Sequence, residues 1–196
     1  MDPEYELAIE SAPTSIPGGT ALLLLHPSIG ETDRIDTQFL KTDTDRMLVI
    51  STRTTAREVA QKLEHYEVDA SKATILDTLS AERGYTRRQS DDVRYIGRPE
   101  NLDAIVDEAE RFLEETAGKR RLSLDSITEM IYYVDRDQTR MAVESLLALL
   151  EDHDAVGLFH LAVGVHDDAV VEEFRSLFDG VIELDEEGSV TTSMAE

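Results

Sequence analysis

The sequence predicts an α/β domain with a mainly parallel sheet. Short aliphatic runs alternate with stretches in which apolar residues recur at helical spacing, and this alternation is typical of strands joined by right-handed helical crossovers. Neither a fixed-period repeat nor a linker rich in Pro, Gly or Ser divides the 196 residues. We therefore expect one domain over residues 17–188, an N-terminal extension over 1–16 and a polar C-terminal tail over 189–196.

The first half of the domain contains three predicted strands. Thr20 to His26 is an almost wholly aliphatic run after Pro17-Gly18-Gly19, which is typical of a central strand buried on both faces. Amphipathic segments follow this strand and the next one, and their apolar residues share one helical face. The predicted order is strand 20–26, loop 27–32, helix 33–40, strand 47–50, helix 54–66 and strand 73–79.

The second half begins with a predicted exposed loop over residues 80–92, where Tyr85 is almost the only apolar residue. Alternating elements then resume. The predicted order is strand 93–96, helix 102–116, strand 122–124, helices 127–134 and 138–150, strand 155–165, helix 167–178 and strand 180–184. Because ligands of parallel α/β sheets bind beyond the carboxyl ends of the strands, residues directly after each strand are the candidates for a functional site.

The charge balance is strongly acidic. There are 42 acidic residues against 19 basic ones, of which 15 are Arg and 4 are Lys, and the net charge is −23. Nucleic-acid binding is not expected from such a surface without a local basic patch, and the only basic clusters are Arg87-Arg88 and Lys119-Arg120-Arg121. An acidic, lysine-poor chain with ordinary apolar content is typical of a halophilic cytoplasm, where molar salt screens self-repulsion.

Several protein classes are excluded by what the sequence lacks. The absence of cysteine excludes disulfide scaffolds, cysteine–zinc sites and thiol nucleophiles. No apolar run approaches the ~20 residues of a membrane span, and the residues from Met1 to Glu4 do not resemble a secretory signal. We therefore expect a cytoplasmic protein that does not bind membranes.

The loop after the first strand, residues 26–33, stands where a phosphate-binding loop would lie. The motif G-x-x-x-x-G-K-[ST] aims backbone N–H groups at phosphates, bridges them with a lysine and holds magnesium with a hydroxyl. Here the lysine position holds Thr32, the hydroxyl position holds Asp33, and the glycine positions hold His26 and Glu31. We interpret the segment as an ordinary loop capped by Asp33. The alternative is a weak, degenerate nucleotide site formed by Ser28, Gly30, Thr32, Asp33 and Asp125.

Asp125 closes a later predicted strand. An aspartate at this position in a nucleoside-triphosphatase sheet typically holds magnesium, directly or through water. Without a lysine or hydroxyl opposite it, we favour a structural interpretation, in which Asp125 caps the helix that begins at Ile127.

Three histidines lie in the last third of the chain, at positions 153, 160 and 166. Metal binding by them with the neighbouring aspartates would require them to converge. Because His160 falls inside a predicted strand and His153 precedes it, we interpret them as separate loop and strand residues, and we predict no metal site.

The order and spacing of these motifs resemble the RecA-like domain of the KaiC family of archaeal and bacterial ATPases over about 170 residues, from Pro17 to Gly188. The resemblance implies a three-layer domain, with helices on both faces of a mainly parallel central sheet, in a haloarchaeal member of the family. It rests on Gly18-Gly19, the strand 20–25, the loop 26–33, Gln38-Phe39-Leu40, Leu124-Asp125-Ser126-Ile127-Thr128 and the closing segment Asp179 to Leu184.

The same resemblance argues against catalysis. Members of the family carry a catalytic glutamate just after the second strand, whereas Val49 to Thr54 contains no acid. We therefore expect a non-catalytic regulatory or signalling module, without a cofactor, that acts through protein partners or self-association; sheet edges and the loop 80–92 offer surfaces for them. The alternative is a weak nucleotide binder or residual ATPase that uses Asp125, ATP and magnesium.

Overall fold

The computed structural model describes residues 1–28, 31–81, 83–84 and 92–196. An eight-stranded sheet in the order β10-β9-β3-β8-β7-β4-β5-β6 forms its centre, and only the β10–β9 pair is antiparallel. The strands are β1 (Glu4–Glu6), β2 (Ser15–Pro17), β3 (Ala21–Pro27), β4 (Arg46–Ser51), β5 (Ala73–Asp77), β6 (Val93–Tyr95), β7 (Arg120–Asp125), β8 (Val156–Val163), β9 (Gly180–Leu184) and β10 (Val190–Met194). The helices are α1 (Asp33–Lys41), α2 (Ala56–His65), α3 (Leu102–Glu115), α4 (Ile127–Tyr133), α5 (Arg136–Asp152) and α6 (Asp168–Arg175).

The predicted three-layer architecture is confirmed, because both faces of the sheet are covered. Leu22 and Leu24 of β3 pack into an apolar cluster with α1, α2 and the β1–β2 hairpin. Leu23 and Leu25 point the other way, into a cluster with α3, α4, α5 and α6. This alternation explains why the strand reads as a continuous aliphatic run: neither of its faces meets water.

Helix starts are fixed by side chains that accept backbone N–H bonds. Thr55 and Glu58 form a capping box at α2, and Ser126 accepts from the Glu129 N–H at α4. The prediction that Asp125 caps this helix is therefore wrong, since Ser126 occupies that position. At α1 the cap position belongs to Thr32. Asp33, predicted as an N-cap or an acid of the first turn, is therefore not the cap but does lie in the first helical turn.

Two segments outside the predicted domain take part in the fold. Residues 4–17 supply the two-stranded β1–β2 sheet, whose Tyr5 and Ile16 are buried in the core. Residues 190–194 form β10, which pairs with β9 along its whole length. The β10 sequence is mostly Thr and Ser with a single buried valine, so its polar composition concealed an edge strand.

Most of the predicted loop 80–92 lies outside the described residues, which leave out residue 82 and residues 85–91. Its expected role in partner binding therefore stays a prediction. Where the chain is described, none of the helices has the length and apolar character needed to cross a bilayer.

Candidate functional site

Four neighbouring strands bring a set of charged side chains to the carboxyl edge of the sheet. Ser51 of β4 pairs in register with Asp125 of β7, and Arg53 follows β4 two residues later. β8 lies between β7 and β3 and carries His160. This order separates Asp125 from the loop after β3 by one strand.

Asp125 forms an ion pair with Arg53. The Arg53 Nε donates to Asp125 Oδ1 over 2.9 Å, and the carboxylate is almost completely buried. Burial alone would raise the pKa of Asp125, but the charges of His160 and Arg53 outweigh it and hold the pKa below its usual value. The carboxylate is therefore ionised and already has a cationic partner.

Behind this pair, Asp36 of α1 collects three donors. His160 Nε2 lies 2.8 Å from its Oδ1, Lys62 Nζ lies 2.9 Å from its Oδ2, and the Ser123 hydroxyl donates to Oδ1. Asp36 is completely buried, which favours a raised pKa, yet Lys62 and His160 lower it well below its usual range. Its charge is therefore compensated inside the protein.

His160 joins the two aspartates. Its Nδ1 lies 3.9 Å from Asp125 Oδ1, while its Nε2 contacts Asp36. Burial lowers the pKa of His160, but the two carboxylates outweigh burial and raise it above the usual histidine value. The two carboxylates thus favour the protonated imidazole. The side chains form one continuous row in which acids and bases alternate, Lys62–Asp36–His160–Asp125–Arg53, which we call the buried charge row.

His26, at the end of β3, closes the row on the side of the loop. Its ring lies 6.1 Å from the His160 ring, and its Nδ1 donates to the Pro27 carbonyl over 2.8 Å. Burial lowers the pKa of His26, so the ring is neutral. Its Nε2 has no hydrogen-bond partner among the described residues.

The residues proposed for a degenerate nucleotide site differ in their exposure. Ser28 is exposed and Thr32 is buried, while Gly30 lies outside the described residues. The Asp33 carboxylate is about half exposed, 3.9 Å from Lys62 Nζ. Asp125 belongs to the buried charge row. Burial lowers the pKa of its partner Arg53, but the charges of Asp125 and Asp33 outweigh burial and raise it.

The sequence did not predict that four side chains of the buried charge row lie together: Arg53, Lys62, Asp36 and His160. A signal existed for Asp36 and His160, since each is a charged or titratable residue inside an otherwise apolar face or strand. The remaining predicted histidines lie apart: His166 contacts the Thr128 hydroxyl, and His153 follows α5. Within the described ranges, no three His, Asp or Glu side chains are grouped to hold a metal ion.

The sheet order and helical layers define a RecA-like α/β fold. The KaiC-like protein PH0186 from Pyrococcus horikoshii OT3 superposes with a TM-score of 0.69 at 17% identity, covering 100% of this chain and 90% of that one. An ATPase from the type III secretion system of pathogenic bacteria gives a TM-score of 0.66 at 16% identity, covering 95% of this chain and 58% of that one. At these identities the likeness concerns the fold alone.

The chain belongs to a family of unknown function (DUF7090), whose sequence model matches residues 3–194. No curated protein sequence matches it.

Proposed function

We propose that this protein is a degenerate, non-catalytic RecA/KaiC-like module of a haloarchaeal regulatory or signalling pathway, and that it acts through protein partners or self-association. The single observation that carries the proposal is the ion pair between Arg53 and Asp125. The Arg53 guanidinium is bonded to the carboxylate that would hold magnesium in an active relative. Arg53 lies in the segment where such relatives carry the catalytic glutamate.

Electrostatics disfavour a metal ion at Asp125. Magnesium would have to displace Arg53 and would still lie close to His160, whose raised pKa favours a positive charge. Two like unit charges ~4 Å apart repel by about 4 kcal/mol at an effective dielectric of about 20. The residues present therefore do not fit a nucleotide-bound magnesium ion.

The loop after β3 supports the same conclusion. Thr32 stands in place of the phosphate-bridging lysine, and its side chain is buried. Asp33 places a carboxylate where a hydroxyl is required, which would repel phosphate. Loss of the bridging cation and of the general base removes the main contributions to phosphoryl-transfer catalysis.

Partner binding is supported by the edges of the sheet. β6 and β10 are the terminal strands of the sheet, and among the described residues the outer edge of β10 pairs with no further strand, so another chain can extend it. In a module that catalyses no reaction, such edges are surfaces at which a partner protein or a second copy of the chain can bind.

One observation favours weak nucleotide binding as a second candidate. Lys62 Nζ lies 3.9 Å from Asp33 Oδ1, so a cation from α2 stands near the start of α1. Lys62 is, however, already bonded to the buried Asp36 at 2.9 Å, and a phosphate would have to compete with that carboxylate.

The deciding experiment is calorimetric titration of ATP with and without magnesium, combined with an assay for phosphate release. We expect no hydrolysis and no dissociation constant below ~10 µM, which corresponds to about −7 kcal/mol. Magnesium-dependent binding tighter than this, or hydrolysis that Asp125→Asn abolishes, would overturn the non-catalytic proposal and support the second candidate.

A further inference from the structure

A cleft of about 560 Å³ lies beside the start of α2 and the edge strand β6. Arg57 and Gln61 of α2 line one wall, Ser80 and Arg83 follow β5, and Tyr95 belongs to β6. None of the five residues of the buried charge row lines this cleft. It is therefore a feature separate from the candidate nucleotide site.

The side chains of two arginines that line the cleft have no ion-pair or hydrogen-bond partner among the described residues. Of the seventeen lysines and arginines that the structure describes, fourteen form an ion pair or a hydrogen bond with another group. In the described part of the chain only Arg57, Arg83 and Arg98 do not, and the first two line the cleft. The residues that line the cleft thus carry two positive charges against the one negative charge of Glu58, in a chain with 42 acidic residues.

Two acids at the cleft, Glu58 and Asp77, already accept hydrogen bonds from the protein. Glu58 lines the cleft, but its carboxylate accepts the Thr55 N–H over 2.8 Å in the capping box. Asp77 is completely buried and accepts four hydrogen bonds, from Ala56 N, Leu79 N, Ser80 N and Ser80 Oγ. Asp77 thereby fixes the start of α2 against the turn after β5 and leaves the guanidinium groups free.

From this arrangement we propose that the cleft binds a small ligand carrying an oxyanion, either a phosphate or a carboxylate group, between Arg57 and Arg83. Planar guanidinium groups bind both oxyanions with paired hydrogen bonds. The volume lies in the usual range for small-molecule sites, about 300–1,000 Å³. The start of α2 is not the source of attraction, because the Ala56 and Glu58 N–H groups are already bonded to Asp77 and Thr55.

The test is calorimetric titration of the full chain with inorganic pyrophosphate and, separately, with citrate, at one fixed KCl concentration at which circular dichroism shows a folded protein. We expect saturable binding of one molar equivalent of at least one probe. Arg57→Gln and Arg83→Gln should each weaken it at least tenfold. Arg98 is the third of these arginines and does not line the cleft. Arg98→Gln should therefore leave the affinity for the probe unchanged.

A further variant tests the charge without removing an arginine. Gln61→Glu places a carboxylate four residues after Arg57 on the exposed face of α2, where the two side chains can pair, and it should also weaken binding. Binding of pyrophosphate alone identifies a phosphate site, binding of citrate alone a carboxylate site, and binding of both a general oxyanion site. Absence of binding by both probes, or binding that survives Arg57→Gln and Arg83→Gln, would overturn the proposal.

Discussion

His160 Nε2 lies 2.8 Å from Asp36 Oδ1, and both side chains are almost completely excluded from solvent. The contact joins β8 to α1 across one face of the central sheet, next to the edge where an active relative would bind nucleotide. Lys62 extends this contact on the side of Asp36 and Asp125 extends it on the side of His160, so acids and bases alternate along the buried charge row. Four predictions about the fold follow from this finding and from the charges around it.

The first prediction concerns pH. The pKa of His160 is raised, so its charged form stabilises the fold fully below the unfolded value of about 6.5, and this contribution is lost as pH rises through the folded value. Urea unfolding between pH 5.5 and 8.5 should show a decline in the free energy of unfolding that His160→Gln removes. The pKa values of His26 and His166 are lowered, so these two residues make the fold more stable as pH rises. The difference between the wild type and His160→Gln therefore reports the contribution of His160 alone. A pH profile identical in both proteins would contradict a charged His160.

The second prediction concerns Asp36. Asp36→Asn keeps the volume but leaves Lys62 and His160 without their buried carboxylate, and breaking a buried pair costs about 3–5 kcal/mol of unfolding free energy. Asp33→Asn, at the half-exposed neighbouring carboxylate, is the matched control and should change little. Equal effects of the two substitutions in chemical denaturation would show that the buried charge row does not stabilise the fold.

The third prediction concerns salt. A net charge of −23 on one domain produces self-repulsion that offsets part of a stability typically about 5–15 kcal/mol. The melting temperature should therefore rise between about 0.1 M and 2 M KCl, because the screening length falls from about 10 Å to below about 3 Å. Thermal scans that show no rise would contradict the halophilic interpretation.

The fourth prediction concerns the N-terminal hairpin. Tyr5 stacks on the buried Arg121, whose guanidinium lies 5.4 Å from the Tyr5 ring and 5.0 Å from the Phe39 ring, and burial lowers the pKa of Arg121 to about 10. The Tyr5 hydroxyl donates to the Asp154 carbonyl over 2.8 Å and accepts from the Arg120 N–H.

Tyr5→Phe should cost about 1–3 kcal/mol, since it leaves buried polar groups unpaired. Tyr132→Phe, at a tyrosine that is 81% exposed, should leave the melting temperature unchanged. A Tyr5→Phe protein as stable as the wild type would show that the two hydrogen bonds of the Tyr5 hydroxyl contribute little to the fold.

The parallel sheet was predictable because its strands are buried on both faces and appear as aliphatic runs, as β3 does. The buried charge row was not predictable, because its members come from separate parts of the chain that only the tertiary fold brings together: Asp36, Lys62, His160 and Arg53. Asp125 was recognised as a candidate, but its expected role as a cap was wrong: the following Ser126 supplies the cap, and Arg53 determines where the Asp125 carboxylate lies. An edge strand such as β10 has one half-solvated face, and its pattern resembles that of a polar tail.

The central claim is that Asp125 is held by Arg53 and not by a nucleotide-bound metal ion. The most direct measurement is the melting temperature of the wild type and of Asp125→Asn, each with and without magnesium and ATP together. We predict that these ligands leave the melting temperature of both proteins unchanged. A ligand-dependent rise in the wild type that Asp125→Asn removes would contradict the account.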